Sequence, residues 1–490
     1  MTSNFIINWK FVGRFIGSIL WIESLLLFGM AVFAYLKDGV DMWAFVWSGG
    51  IAFAVGSLLI LLVGLRSKIL LIGKKESYLT VALTWIVFAI FGAFPFLISG
   101  ATSNFADAFF EATSGITTTG ASVLSSLDAM PHALLLWRSI LQWLGGLGII
   151  VFSIVLLPLM GSAAQLFDAE TTGLTHDKFR PRVTQMATRI LAMYIIFTMI
   201  VIALLGFVSP MAWFDAVCHG FSTISTGGFS TKTESIAYWN SMTVEAIVAL
   251  FMIIGAINFP LMYMLFAKGE VKRFWKDEEL RWFLAIILIS TALIAFGLYY
   301  EHSCDAISAV RRALFQVVAV ISTTGFCTAD FSIWGSHYLI LFLLLMVVCG
   351  CAGSTSGGLK VVRAVVLTKN TFQELQRLVH PRAIIPVRLN GNAVSFVVVQ
   401  RLLAFAFLYI AIIYISWGIL TIVGIPFEDA LGAAVTAIGN IGPGFGALGP
   451  KGSFIDIPTF AKYYLAFLMV VGRLEVFTVL MLFTPGFWKR

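Results

Sequence analysis

Charge is what this sequence has least of. Only 12% of its 490 residues are Asp, Glu, Lys or Arg, about half the share of an ordinary globular domain. So little charge leaves no polar coat for a water-facing surface. With 59% hydrophobic residues and a mean hydropathy of +0.95, a soluble fold is excluded. Cysteine is also sparse: Cys218, Cys304, Cys327, Cys349 and Cys351 lie scattered without C-x-x-C spacing, and the six histidines do not cluster. That pattern excludes a disulfide framework and a metal-ligand set of familiar spacing. No spaced acid, base and nucleophile set appears, and no phosphate-cradling GxxxxGK[ST] run, so an enzyme is not indicated and no covalent cofactor is expected.

Long apolar runs are what the chain has instead. A helix crossing hydrocarbon needs roughly 20 mostly apolar residues, and such runs recur at about 11–36, 43–65, 77–100, 134–160, 187–208, 242–267, 281–300, 337–367, 393–424 and 460–484. They predict ten spans with no separate soluble domain. The first run continues through Glu23 to about Leu36 without a small-residue cleavage site, which predicts a retained helix rather than a removed leader. With the N-terminus inside, 24 of the 32 Lys and Arg fall on the cytoplasmic side, clustered at 66–75, 178–189, 268–281 and 360–401. Basic residues favour that side of short loops, so both termini are expected to be cytoplasmic. The net charge of +7 then needs no nucleic acid to explain it. The 44 Phe and 14 Trp read as lipid-facing packing and interface belts.

Four loops on the opposite side are rich in Gly, Ser, Thr and Phe, and they superimpose without gaps over fourteen residues. The segments are DAFFEATSGITTTG (Asp107 to Gly120), DAVCHGFSTISTGG (Asp215 to Gly228), RALFQVVAVISTTG (Arg312 to Gly325) and DALGAAVTAIGNIG (Asp429 to Gly442). Every copy has Ala second and Gly last, and three begin with Asp, a favoured N-cap; Arg312 departs from that pattern. Each copy therefore predicts a capped helix of about three turns, too short to span, with its C-terminal end at mid-membrane. That end carries the negative pole of the helix dipole and unpaired carbonyls, which favour a cation at the centre of a fourfold arrangement. The glycines allow an extended or left-handed backbone with no side chain in the way, as in a filter of backbone oxygens.

The unit of span, short helix, Gly loop and span, repeated four times, resembles the Trk/Ktr/HKT superfamily of potassium transporters, and TTTGAS, STGGFS, STTGF and GNIGPGFG resemble its four filter loops. The likeness covers about residue 77 to the C-terminus. The first two helices resemble the extra N-terminal pair of the bacterial Trk branch. The resemblance implies an all-α integral membrane fold of about ten transmembrane helices with four re-entrant pore-helix and filter loops in pseudo-fourfold arrangement. It divides the chain into an N-terminal pair (1–70) and four repeats at 71–165, 166–270, 271–385 and 386–490. It implies a K+ filter at Gly120, Gly228, Gly325 and Gly442, with K+ held by carbonyls of Thr118, Thr119, Thr226, Gly227, Thr323, Thr324, Asn440 and Ile441. Gly120 in the first loop goes with K+ preference, where a Ser marks sodium-preferring plant relatives. The fourth loop, with Asn440 and Ile441, departs most. The resemblance further implies K+ uptake across a bacterial inner membrane, with H+- or Na+-coupled symport as the alternative, and a homodimer with one pore per protomer. Control by ATP or NAD would come from a separate cytoplasmic subunit docking on loops 161–189, 268–281 and 368–392. A secondary transporter of organic solutes is the remaining class; such folds usually have inverted repeats, whereas these four share one orientation.

Two further features fall inside the expected pore. The eighth run is interrupted by CGCAGSTSGGLK, Cys349 to Lys360, with four glycines and three hydroxyls in twelve residues. Such a stretch is poor helix. It reads as an intramembrane gating loop at Gly350, Gly353, Ser354, Thr355, Ser356, Gly357 and Gly358, or alternatively as close helix packing through small residues. Arg473 lies mid-way along an apolar stretch, where a charge costs about 2.5–3.5 kcal/mol on insertion scales. It reads as an electrostatic barrier below the filter, partnered by loop carbonyls or water, or alternatively as a structural Arg paired with a buried carboxylate. Glu111 in the first short helix and His219 in the second read as groups that tune cation attraction, or alternatively as ordinary polar residues of a water-filled vestibule, and Arg138 as an interfacial anchor.

Overall fold

The computed structural model describes residues 7–37, 39–64, 73–155, 179–301, 304–383 and 385–488. The fold is all-helical; the one strand pair among the described residues is a hairpin of Arg388–Leu389 with Asn392–Ala393. Helices Trp9–Lys37 and Met42–Val63 pair along their length. They approach closely because both present small residues at the crossing: a Cβ on Gly17 would sit 2.8 Å from the Gly56 carbonyl oxygen, and one on Gly56 2.9 Å from that of Gly17. Lipid offers no hydrophobic drive between helices, so such backbone approach is what holds them. The Ser24 hydroxyl donates to the Gly49 carbonyl across the same seam at 2.8 Å.

Four units follow, each an outer helix, a short buried helix, a loop and an inner helix. The outer helices are Lys74–Ile98, Phe179–Val208, Glu278–Tyr300 and Phe396–Ile422. The short helices are Phe105–Ile116, Trp213–Ile224, Ala306–Ile321 and Phe427–Gly439. Of the expected unit boundaries, those at 70 and 165 lie outside the described residues.

Six described helices are long and apolar enough to cross a membrane, and large apolar side chains such as Leu62, Phe207 and Ile422 stand exposed on their outer faces, as a hydrocarbon solvent allows. Two expected spans are not continuous. The stretch 242–267 is bent by 104° between Met242–Ala256 and Phe259–Lys268, and 460–484 by 114° after Thr459–Arg473. Apolar length alone does not report a break, and local chemistry explains both. Asn258 starts a new helix by accepting from the Leu261 N–H at 3.2 Å, with Pro260 in its first turn, where a missing N–H costs nothing. At the second bend Glu475 takes a left-handed φ of 59°, and Gly472 lies so close to the Ile438 carbonyl that no side chain fits. In the third unit the inner helix Ser336–Val348 resumes only at Val361–Val379.

The expected Asp N-caps are also corrected. Asn104 caps the first short helix, accepting from the Asp107 N–H at 2.9 Å, while Asp107, Asp215 and Asp429 sit in first turns. There a carboxylate still meets the positive end of the helix dipole. The third short helix begins a turn earlier, capped by Asp305, which moves Arg312 into its second turn.

Candidate functional site

The four short helices end in the same way. At each C-terminus one residue takes a left-handed conformation: Thr118 (φ 54°), Thr226 (53°), Thr323 (59°) and Asn440 (54°). The next residue's N–H reaches back five positions, from Thr119 to Ser114 at 2.9 Å, Gly227 to Ser222 at 2.8 Å, Thr324 to Ala319 at 3.0 Å and Ile441 to Thr436 at 3.1 Å. This is the Schellman closure, usually built on Gly or Asn; here Thr takes the strained position three times. The residue after is Gly in every copy, again with positive φ: Gly120 85°, Gly228 79°, Gly325 74° and Gly442 104°.

These glycines close a ring. A Cβ on Gly120 would strike the Gly227 carbonyl oxygen, one on Gly228 that of Thr324, one on Gly325 that of Ile441, and one on Gly442 would lie 2.7 Å from that of Thr119. Loop one thus abuts loop two, two abuts three, three abuts four, and four returns to one. The structure brings together all twelve expected filter residues, and the departing fourth loop keeps the shared backbone. Side chains brace the ring from behind. Gln142 donates to the Gly227 carbonyl at 2.6 Å and accepts from the Phe229 N–H at 3.1 Å. Asn440 donates to Thr119 Oγ1 and to the Met469 carbonyl, both at 2.9 Å.

The loop Cys349–Lys360 docks against the ends of the short helices. Thr355 Oγ1 donates to the carbonyls of Gly255 at 3.0 Å and Ile224 at 3.1 Å, and Thr226 Oγ1 reaches Thr355 Oγ1 at 3.3 Å. Ser356 Oγ meets Thr323 Oγ1 at 3.0 Å, and the Gly357 N–H donates to that same Thr323 hydroxyl at 3.0 Å. A side chain on Gly357 would strike the Gly439 carbonyl. Arg473, 2% exposed, donates to the Thr355 carbonyl at 2.7 Å and to the Gly145 carbonyl at 3.3 Å. Its neighbour across the bend, Glu475, instead holds Arg363 at 2.7 Å, in the first turn of the helix Val361–Val379 that leaves the loop. The Lys360 ammonium folds back onto the Ser356 carbonyl.

The family model for TrkH, described as cation transport protein, matches residues 45–489. The chain belongs to the TrkH family. It is 36% identical over 489 residues to the Trk system potassium uptake protein TrkH of Salmonella typhimurium, covering 99% of this chain and 100% of that protein. Identity to the Trk system potassium uptake protein TrkG of Escherichia coli is 32% over 485 residues, 98% of this chain and 99% of that one. The crystal structure of the potassium transporter TrkH from Vibrio parahaemolyticus superimposes with a TM-score of 0.89 at 35% identity, covering 98% of this chain and 99% of that chain.

Three residues of this TrkH-family chain stand elsewhere than expected. Arg138 is not an interfacial anchor: it is 1% exposed and pairs with Glu111, itself fully buried, at 2.8 Å. It also donates to the Ser230 carbonyl at 3.0 Å and stacks 4.0 Å above Phe229. Glu111 in turn accepts from the Val123 N–H at 3.0 Å, so its charge is spent holding the segment after the first glycine loop rather than facing a vestibule. His219 is fully buried as well, between the Asp215 carbonyl and Ser230 Oγ. Sequence reasoning missed Gln142: its only signal is a polar side chain in a mostly apolar helix, which Ser139 beside it shares. A second buried pair, Lys462 with Asp107 at 2.5 Å, ties the last inner helix to the first short helix.

Breaking a buried pair on one side leaves an uncompensated charge and costs about 3–5 kcal/mol. Arg138→Ala is therefore expected to lower the thermal midpoint of the purified protein strongly, and Glu111→Gln to lower it as well, because the amide keeps one acceptor oxygen where Arg138 and Val123 use two, and leaves the Arg138 charge uncompensated. Equal midpoints for Arg138→Ala and wild type in detergent would refute the bracing role.

Proposed function

We propose that this chain is the pore-forming potassium uptake protein of a Trk system, passing K+ through a ring of backbone carbonyls. The observation that carries the reading is the closed ring: four loops with one backbone geometry, each glycine lying against the carbonyl of the next loop. A ring of backbone carbonyls can replace an alkali ion's hydration shell, and the ends of four short helices add negative potential toward it. The names of the Salmonella and Escherichia relatives, Trk system potassium uptake proteins, support K+ as the ion. Conduction is gated by the loop 349–360 lying beneath the ring, with Arg473 as an electrostatic barrier. The protein resides in the inner membrane with both termini cytoplasmic, on the distribution of Lys and Arg. It acts as a homodimer with a nucleotide-binding regulatory subunit docked on the basic segments 268–281 and 368–392; of the third expected docking segment, 161–189, the part before residue 179 lies outside the described residues.

The test is ion flux into proteoliposomes holding the purified chain, under imposed K+, Rb+ and Na+ gradients. Uptake of K+ and Rb+ well above Na+ is expected. Equal passage of the three cations, or none even when the loop is loosened by Arg473→Ala, would overturn the reading. Coupling to H+ would appear in the same vesicles as alkalinisation accompanying K+ efflux driven by a K+ gradient, which a passive pore does not produce at zero membrane potential.

A further inference from the structure

We infer that Glu279 is a positioning residue that clamps the loop 349–360 in its closed arrangement and couples that loop to the cytoplasmic hairpin at 388–393. The inference rests on the proposed gating role of the loop. Glu279 lies in the first turn of the helix Glu278–Tyr300 and is 6% exposed. One carboxylate oxygen, Oε1, accepts from the Ala352 N–H at 2.6 Å and from the Val362 N–H at 3.2 Å. Those two amides bracket the segment that carries Ser354, Thr355, Ser356, Gly357 and Lys360. A single anionic acceptor thus fixes the entrance and the exit of the loop, while the apex is held by Arg473 and the filter hydroxyls. Charge-assisted bonds to backbone N–H are among the stronger hydrogen bonds, and the one from Val362 is fully buried.

What makes Glu279 more than an anchor is where its helix begins. Asp277 caps that helix, accepting from the Leu280 N–H at 2.9 Å, and also accepts from Asn390 Nδ2 at 2.9 Å. The Glu278 N–H donates to Asn390 Oδ1 at 2.7 Å. Asn390 sits at the turn of the two-residue hairpin with a left-handed φ of 49°. Lys369, on the helix that leaves the loop, bridges Glu278 at 2.5 Å and the Arg388 carbonyl at 2.9 Å. Hairpin, helix start and loop exit are therefore one hydrogen-bonded unit. A cytoplasmic partner that displaces the hairpin pulls on the residue next to the clamp, and so on two of the bonds that hold the ends of the loop, beside those from the Cys351 N–H to the Ala256 carbonyl and from the Val361 N–H to the Gly350 carbonyl, both at 2.9 Å.

The experiment compares wild type, Glu279→Ala, Glu279→Gln and Asn390→Ala in proteoliposomes, with Arg473→Ala and Gly120→Ser in the same series. Glu279→Ala is expected to raise basal K+ flux about tenfold, equivalent to about 1.4 kcal/mol of closed-state preference, with the K+ to Na+ ratio unchanged. Glu279→Gln keeps an acceptor and restores most of the closed behaviour; Asn390→Ala moves flux the same way by a smaller factor. Native thiols supply a second readout independent of flux. Cys349 and Cys351 lie in the loop, and Cys218 in the second short helix; all three are buried. Maleimide labelling followed by peptide mass analysis should quicken at Cys349 and Cys351 in Glu279→Ala while Cys218 stays slow. Wild-type flux and labelling in Glu279→Ala overturn the clamp, as does labelling that quickens at all three cysteines together, which marks general loosening. If Arg473→Ala opens the path and Glu279→Ala does not, the clamp alone fails. If neither changes flux while Gly120→Ser alters selectivity, the gating role of the loop fails with it.

Discussion

Gly120→Ser is expected to collapse discrimination between K+ and Na+ while leaving the protein folded. Position 120 has φ 85°, a conformation that costs an L-residue roughly 1–2 kcal/mol, and its Cβ would strike the Gly227 carbonyl oxygen. The first loop must therefore withdraw from the second, or twist, and either motion opens the ring at one seam. Selectivity depends on carbonyl number and field at the site, so one displaced loop out of four is enough to favour the smaller, more strongly hydrated ion relative to the wild type. The measurement is the ratio of K+ to Na+ uptake in vesicles, with a fall of about tenfold or more expected, since a disturbance of 1–2 kcal/mol acts directly on relative affinity. An unchanged ratio at unchanged expression would remove Gly120 from the filter. Because the four seams are built alike, Gly228→Ala and Gly325→Ala should behave in the same sense.

Arg473→Ala is expected to have the largest effect on rate. At an effective dielectric of about 20, two unit charges about 8 Å apart repel by roughly 2 kcal/mol, and removing that repulsion from the path of a cation speeds passage about thirtyfold. The same substitution frees the Thr355 and Gly145 carbonyls, one of which belongs to the loop, so barrier and obstruction fall together. Arg473→Lys separates them: it keeps the charge but not the two-pronged donor, and should raise flux less than alanine does. Wild-type flux in Arg473→Ala together with a lowered thermal midpoint would assign the residue a purely structural role.

The neighbours of Arg473 show how far residue patterns alone carry. Its position in an apolar stretch marked it as unusual, and the glycine and hydroxyl content of 349–360 marked an interrupted helix. Neither pattern states that the guanidinium meets the Thr355 carbonyl, or that Glu475, two positions on, turns away through a left-handed bend to hold Arg363. The bend itself was invisible to a count of apolar residues, because Leu474 and Val476 are as apolar as any helix interior. Arg138 failed for a related reason: a charge near the outer end of a span is usually an anchor, and only the packing of Glu111, Ser122 and Phe229 around it makes it a buried brace.

By itself the sequence determined the membrane class and the four copies in their shared frame, while the twelve expected filter positions followed from the family resemblance. Those properties are local: apolar length, glycine and threonine at fixed offsets, and charge counted along the chain. Tertiary structure decided that the loops form a closed cycle, that the inner helices of the second and fourth units break, that Gln142, Glu111 and Arg138 brace the segments around that cycle, and that Glu279 holds the loop 349–360. Each of these depends on groups from different repeats meeting at hydrogen-bond distance, from Thr119 to Asn440 and from Glu279 to Ala352. In a bilayer a buried backbone polar group must find its partner within the protein, and which partner it finds is fixed only when all four repeats are packed.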